Sequence, residues 1–413
     1  MAIIKVQKGT KDILPQDMGV WHLMERKAEE IFSRYGAKEI RTPIFEATEL
    51  FARGVGDTTD IVNKEMYTFE KSERSLTLRP ENTAGVVRSF IENGMHRLSA
   101  PVKLWYKGPM FRYERPQAGR QRQFHQVGIE VFGIKQASCD AEVILMAVNY
   151  LKSLGLNDLS VELNSLGCPE CREVFKTKLK AVLKPYLSQL CPDCQARYEK
   201  NPLRLLDCKV EECKEIYAKP EIQEVIQSDY ICQDCADHFE ELKGYLDELN
   251  INYSINKLLV RGLDYYNRTV FEIKSNNLGS QNAVCGGGRY DSLVRNLGGE
   301  DTPAVGFAMG MERLASLIGE KPEEKTDVFI VSNSSKDAIK LAEEVRAKNI
   351  SCEMDLTNKK FVKQLEKASK TAKYALILGE DEIDAGTVTV KNLETSEQKS
   401  VKRDEVYSLL NAR

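Results

Sequence analysis

The chain has 413 residues, enough for two or three domains with separate cores. Its 42% hydrophobic and 29% charged residues are those of a soluble globular protein, and a net charge of −3 leaves any nucleic-acid binding to local basic patches. No apolar run reaches the ~18 residues of a membrane span, and the N-terminus MAIIKVQKGTKDILP lacks the apolar stretch and cleavage site of a secretory signal, so the cytosol is the expected compartment.

From Asp17 to Tyr35 the apolar residues Val20, Trp21, Met24, Ala28, Ile31 and Phe32 recur at helical spacing, and Gly36 ends the run. KEIRTPIFEATELF follows, and its Pro43 favours extended chain over a helix interior. LWYKG and VGIEVFG predict two strands around a polar, arginine-rich loop. The stretch from 168 to 256 is rich in Cys, Lys and Glu and is read as a helical insertion. Strand and glycine signals resume at LLVRGLDYYNRTVFEI and VCGGGRYD, although a glycine triplet is also an ordinary turn. The polar, proline-containing GEKPEEKTD (319–327) predicts a domain boundary. After it, DVFIVS, KDAIKLAEEVRAKN, ISCEMDL, KKFVKQLEKASKTA and YALILG alternate as strand and helix, a small βαβαβ domain with a parallel sheet.

Four histidines leave little room for chemistry built on several imidazoles. Of eleven cysteines, eight fall in four close pairs: Cys168 with Cys171, Cys191 with Cys194, Cys208 with Cys213, and Cys232 with Cys235. Three of the pairs are C-x₂-C, the spacing of structural zinc sites. In a reducing compartment this points to metal before disulfides. Four pairs make two four-thiolate sites in three ways, and spacing does not choose among them.

The strongest local signal is Lys107 to Gly133, KGPMFRYERPQAGRQRQFHQVGIEVFG. Between Lys103 and His125 six Lys/Arg stand against one Glu, a local charge of +5. Guanidinium forks of this density suit a polyphosphate, and Phe124 suits stacking on a base. Glu81, Glu114 and Glu130 lie among apolar strands, where carboxylates need partners.

FRYERPQAGRQRQFHQ resembles motif 2 of the class II aminoacyl-tRNA synthetases. The helix at 17–35 with Pro43 resembles motif 1, the dimer element, and AVGFAMGMERL (304–314) resembles motif 3. LVRGLDYYNRTVFE and VCGGGRYD together with LRPENTAG (78–85) are similar to the signatures of the histidyl-tRNA synthetase family. One departure is Asn82, where glycine is commoner. The resemblance implies an α+β class II catalytic domain on a mainly antiparallel sheet (1–325), interrupted by the helical insertion at 168–256. It also implies an α/β anticodon-binding domain at 326–413. ATP with Mg²⁺, L-histidine and tRNA(His) would be the ligands, and a homodimer the assembly.

Residue by residue, the resemblance gives Arg112 to the ATP α-phosphate and the histidine carboxylate. Arg120 and Arg313 fall to the distal phosphates, Phe124 to adenine, and Glu114 to the adenine end or a magnesium-linked water. Glu81 and Thr83, assisted by Gln126, would take the α-amino group. Glu130 and Tyr266 would bracket the imidazole, and Tyr265 and Tyr290 would line the pocket. Arg261 would face Arg112 across the reacting phosphoryl group. A carboxylate and a phenol reading the two ring nitrogens would reject amino acids without them. The rival is a histidine-sensing regulatory subunit of ATP phosphoribosyltransferase, which resembles the catalytic core. Such subunits generally lack the last domain and lose RGLDYY and the motif 2 arginines. The last domain counts 16 Lys/Arg and 17 Asp/Glu from residue 322, so RNA contacts would need a local face such as Lys359, Lys360 and Lys363.

Overall fold

The computed structural model describes residues 3–57, 59–116, 119–275, 283–319 and 325–410. The chain divides into two compact units, Met1–Lys321 and Pro322–Arg413. Most of the expected boundary segment, residues 320–324, lies outside the described residues. Among the described residues no helix is long and apolar enough to cross a membrane.

In the first unit, helix α1 (Pro15–Arg34) buries all six residues of the expected apolar stripe. The next segment is not extended throughout. It gives β1 (Lys38–Glu39) and β2 (Phe45–Ala47), then turns helical as α2 (Thr48–Val55), whose Phe51 and Val55, four residues apart, are fully buried. Strands β3 (Tyr67–Lys71) and β4 (Arg74–Leu78) complete a small antiparallel sheet with β2, and helix α3 (Thr83–Glu92) follows. The arginine-rich segment forms a long hairpin, β5 (Val102–Phe111) and β6 (Gln123–Phe132). Helix α4 (Ala137–Ser153) and β7 (Leu159–Ser165) lead into the cysteine-rich segment.

That segment is helical, with α5 (Pro169–Leu183), α6 (Pro192–Lys200), α7 (Glu211–Tyr217), α8 (Pro220–Gln227) and α9 (Gln233–Glu248). Its small core gathers Phe175, Leu179, Leu205, Ile222 and Ile226. The last part behaves differently from what composition suggests. Phe239, Leu242 and Leu246 of α9 pack in the same core as α1 and α4, and β8 (Tyr253–Ile255) pairs with β7.

The remaining elements are β9 (Asn267–Ser275), β10 (Ala283–Arg289), α10 (Leu293–Asn296), β11 (Ala304–Gly310) and α11 (Met311–Leu317). The main sheet has eight strands in the order β1-β5-β6-β11-β10-β9-β7-β8. Its five inner pairings are antiparallel and the two edge pairings parallel. Side chains alternate between its faces. On β6, Val127, Ile129 and Val131 enter the core formed with α1, α4 and α9. The intervening Glu130 therefore points to the opposite face, with Tyr106, Tyr265, Tyr266 and Tyr290. The glycine triplet 286–288 is not a turn but lies inside β10, paired on both sides.

In the second unit the five expected elements are β12 (Thr326–Ser332), α12 (Ser335–Arg346), β13 (Cys352–Met354), α13 (Phe361–Thr371) and β14 (Ala372–Leu378). The sheet is not wholly parallel. After α14 (Glu380–Ala385), β15 (Thr387–Asn392) and β16 (Gln398–Lys402) extend it antiparallel to the order β13-β12-β14-β15-β16, and α15 (Val406–Leu410) follows. Lys359 and Lys360 are exposed, and Lys363 Nζ pairs with Glu366 Oε2 at 2.7 Å.

Candidate active site

Antiparallel pairing aligns β5 and β6 so that Arg112 follows the end of one strand and Phe124 opens the other. Arg112 Nε donates to Pro80 O at 2.8 Å, and its guanidinium lies 5.3 Å from the Phe124 ring centre. Arg120 Nη1 donates to Glu114 Oε2 at 3.2 Å. Residues 117–118 of the loop lie outside the described residues. Arg313, in the first turn of α11, donates to Ala283 O. Glu312 beside it accepts the His125 backbone N–H at 2.9 Å, which fastens α11 to β6 one residue from Phe124.

Arg261 precedes β9 and pairs with Glu272 of that strand. Its guanidinium lies close against Gly286 of β10. A Cβ at 286 would fall 1.9 Å from Arg261 Nη2, so this close approach requires glycine. Arg112, Glu114, Arg120, Phe124, Arg261 and Arg313 line one cleft of about 420 Å³, a volume suited to a small ligand. All the residues expected at the nucleotide therefore meet here. Charged residues that sequence reasoning missed line it too, among them Glu65, Glu272 and, from the insertion, Arg204. Arg204 reaches Asp60 at 3.3 Å through Nη2, while its Nε and Nη1 are buried without a hydrogen-bond partner among the described residues. Glu272 closes the quoted LVRGLDYYNRTVFE without having been given a role, and no motif marks Glu65 or Arg204, which are far from it along the chain.

Beside the cleft is a buried carboxylate pair. Glu81 accepts the backbone N–H groups of Thr83 and Ala84 at 2.8 and 2.9 Å. Glu130 accepts the hydroxyls of Thr83 at 2.7 Å, Tyr106 at 3.3 Å, and Tyr290. Tyr265 packs against the tilted ring of Tyr266 and edge-on to Tyr290, with ring centres 4.6 and 5.5 Å away. Tyr106 is the member of this group absent from the sequence motifs. Asn82, the departure, is buried. Its Oδ1 accepts from Thr42 at 2.6 Å and Arg79 at 3.2 Å, so it braces the turn that carries Glu81 and Thr83.

Burial pushes the Glu130 carboxyl up to about 8, against the opposing hydrogen bonds from Tyr290 and Thr83. Burial likewise raises Glu81, countered by the amides of Ala84 and Thr83. Burial lifts the Tyr266 phenol to about 12. Two carboxyls whose ionisation is held back by burial suit a cationic or hydrogen-bonding ligand. Gln126 Oε1 and Arg261 Nε are buried with no hydrogen-bond partner among the described residues, and buried polar atoms generally have one. Arg289 of the GGGRYD stretch turns the other way. It is fully buried with Asp140, which also meets His238 Nε2 at 2.6 Å and Thr269 Oγ1 at 2.9 Å on the helix-covered face.

An antiparallel sheet with helices packed on it, a hairpin that presents Arg112, and a strand running into a helix that carries Arg313 define a class II aminoacyl-tRNA synthetase catalytic domain. The family model described as histidyl-tRNA synthetase matches residues 9–176 and 200–314, and one described as an anticodon binding domain matches 325–413. A "Histidine--tRNA ligase" of Acetivibrio thermocellus is 50% identical over 99% of each chain, and one of Thermosipho melanesiensis 49% over 96% of each. The crystal structure of apo S. aureus histidyl-tRNA synthetase is 36% identical, with a TM-score of 0.81 over 99% of this chain and 100% of that one. This chain belongs to the histidyl-tRNA synthetase family.

Proposed function

We propose that the chain joins L-histidine to tRNA(His) at the expense of ATP, through a histidyl-adenylate. The observation that carries this reading is the meeting of Arg112, Arg120, Arg261 and Arg313 in one cleft beside two buried carboxyls. The histidine carboxylate attacks the α-phosphorus of ATP, pyrophosphate leaves, and the terminal adenosine hydroxyl of the tRNA then takes the histidyl group with loss of AMP. Arg112 and Arg261 flank the reacting phosphoryl group and stabilise the charge that builds on its oxygens. The nucleophile is already ionised, so no general base is required. Arg120 and Arg313 hold the distal phosphates, with Mg²⁺ accompanying ATP, and Phe124 stacks on adenine with Glu114 near its edge.

Glu81, Thr83 and Gln126 receive the α-amino group. Glu130 and Tyr266 read the imidazole, and Tyr265 and Tyr290 wall the pocket. The exposed apolar side chains Ile44, Phe45 and Phe69 near the small sheet support a homodimer through the motif 1 region. The second unit is the anticodon-binding domain, and the reaction belongs in the cytoplasm, where tRNA is charged. The two groups of four cysteines are candidate metal-holding sites. The matched anticodon-binding domain and the intact RGLDYY segment favour this activity over histidine sensing. ATP–pyrophosphate exchange with each of the twenty amino acids is the test: it should depend on histidine. Histidine binding without exchange would turn the assignment to a sensor.

A further inference from the structure

The structure pairs the eight cysteines in one way. Cys168, Cys171, Cys232 and Cys235 form one group and Cys191, Cys194, Cys208 and Cys213 the other, each with its sulfurs within 4.8 Å of one another. Thiolates on one tetrahedral zinc ion lie about 3.8 Å apart, from a Zn–S bond of ~2.3 Å. The Sγ–Sγ separations of 3.4 Å for Cys168–Cys171 and 3.9 Å for Cys191–Cys208 fall around that value. The sulfurs also have outer partners of the kind that orient metal ligands. The Cys232 N–H donates to Cys171 Sγ at 3.0 Å, the Cys191 N–H to Cys213 Sγ at 3.3 Å, and the Tyr217 hydroxyl to Cys194 Sγ at 3.3 Å. Cys191 and Cys194 lie where the family model finds no match, between 176 and 200.

The first group stands where the chain leaves and re-enters the main sheet. Gly167 adopts φ +69°, and a Cβ there would lie 2.4 Å from Cys171 Cβ, so the turn into this cluster admits only glycine. Gly167 O accepts the Arg268 N–H at 2.9 Å, and Arg268 pairs with Asp234, between Cys232 and Cys235. Arg172, directly after Cys171, donates through Nη1 to Tyr266 O at 2.7 Å and Asp264 O at 3.4 Å. The cluster thus holds the side chain that grips the backbone of the loop 261–266.

We propose that each group binds one zinc(II) ion, and that the ion on Cys168, Cys171, Cys232 and Cys235 sets the histidine pocket by fixing Arg172 beneath the loop 261–266. Arg172 is a positioning residue, since it meets main-chain carbonyls and not the substrate. The second half of the proposal rests on the histidine-activating function proposed above. Four thiolates that converge on one point gain folding free energy from a metal, and the small insertion core needs it.

Full-length protein purified without chelator should carry about two zinc ions per chain, four thiolates to each. Cobalt(II) exchanged into it should show thiolate-to-metal charge-transfer absorption. Cys232→Ser should lose one ion, and Arg172→Ala should keep both. Each should raise KM for histidine in exchange about tenfold or more, the scale of a lost hydrogen bond to a charged donor, with KM for ATP held within about threefold. The double variant should be no worse than Cys232→Ser alone, because the two changes cut one connection. Iron in place of zinc, or no metal with the thiols titrating freely or joined as disulfides, overturns the zinc assignment. An unchanged histidine KM in Arg172→Ala, or additive effects in the double variant, overturns the positioning role, even if Cys232→Ser fails to fold. Wild-type protein that holds zinc but shows no histidine-dependent exchange would instead overturn the function.

Discussion

Gly286→Ala adds one methyl group against the residue on which the chemistry is placed. Gly286 has no left-handed φ, so alanine fits its backbone. The new Cβ would stand 1.9 Å from Nη2, 2.4 Å from Cζ and 2.8 Å from Nη1 of Arg261. Ordinary contact begins at 3.4 Å, so the guanidinium must retreat by the difference, 1.5 Å. The obstruction is the end of a flexible side chain, so the strand itself is spared and overpacking should cost no more than about 1–3 kcal/mol. The catalytic cost is larger. Misplacing a reacting or stabilising group by ~1 Å lowers rate by about 10²-fold, or ~2.7 kcal/mol in the barrier. Histidine-dependent ATP–pyrophosphate exchange should therefore show kcat reduced about 100-fold in a variant that still unfolds cooperatively. In an Arg261→Ala background the same methyl group should change kcat by less than about threefold, since its target is gone. A folded Gly286→Ala enzyme with kcat within threefold of wild type would refute the link between this glycine, the arginine's position and the reaction.

Arg261→Ala by itself should lower kcat far more than it raises KM for histidine, because its contact strengthens in the transition state; a loss below about tenfold, ~1.4 kcal/mol, would remove it from the chemistry. Glu130→Gln should raise KM for histidine in exchange assays and leave KM for ATP nearly unchanged, whereas equal losses for both would make Glu130 structural. The Glu130 carboxyl, at about 8 in the fold against 4.5 ordinarily, holds its proton at neutral pH. The folded state then binds more protons than the unfolded one, so this group's contribution to stability falls as pH rises from about 4.5 to about 8. Glu130→Gln should flatten that part of the melting-temperature profile. Binding of a histidine cation should favour the carboxylate and release a proton near pH 7. Calorimetry in buffers of different ionisation enthalpy reads this directly, and no proton release would contradict the pairing.

Local pattern carried most of the fold. The stripe of α1 and the alternation of β12 to β14 follow from side-chain period alone. What failed were features decided by distant partners. β16 is short and polar, with Gln398, Lys399 and Ser400 exposed, so its strand character comes from pairing with β15. Helix α9 reads as part of a charged insertion, yet its Phe239, Leu242 and Leu246 complete the core under the main sheet. The glycine triplet looks like a turn until Arg261 is seen lying on Gly286. The motifs brought the arginines and carboxyls to one place. They were silent on Tyr106, Arg204 and Glu65, which join the site only through the fold, and they contained Glu272 without giving it a role. Cysteine spacing suggested metal, but only the tertiary arrangement distinguished one pairing of the four pairs from the other two.

The order of strands across the main sheet has a consequence for the nascent chain. β6 ends at Phe132, and its second neighbour in the sheet, β11, begins at Ala304. A ribosome adding ~5–20 residues per second needs roughly 10–30 s to make the intervening stretch. During that time the β5–β6 hairpin has one side open, and an unpaired edge is a template for another chain. The cysteine-rich helices emerge within the same interval, while both strands that will flank β10 are still incomplete or absent. Translation pauses placed between β6 and β11 should therefore raise the fraction of aggregated product, whereas pauses after Leu317 should not.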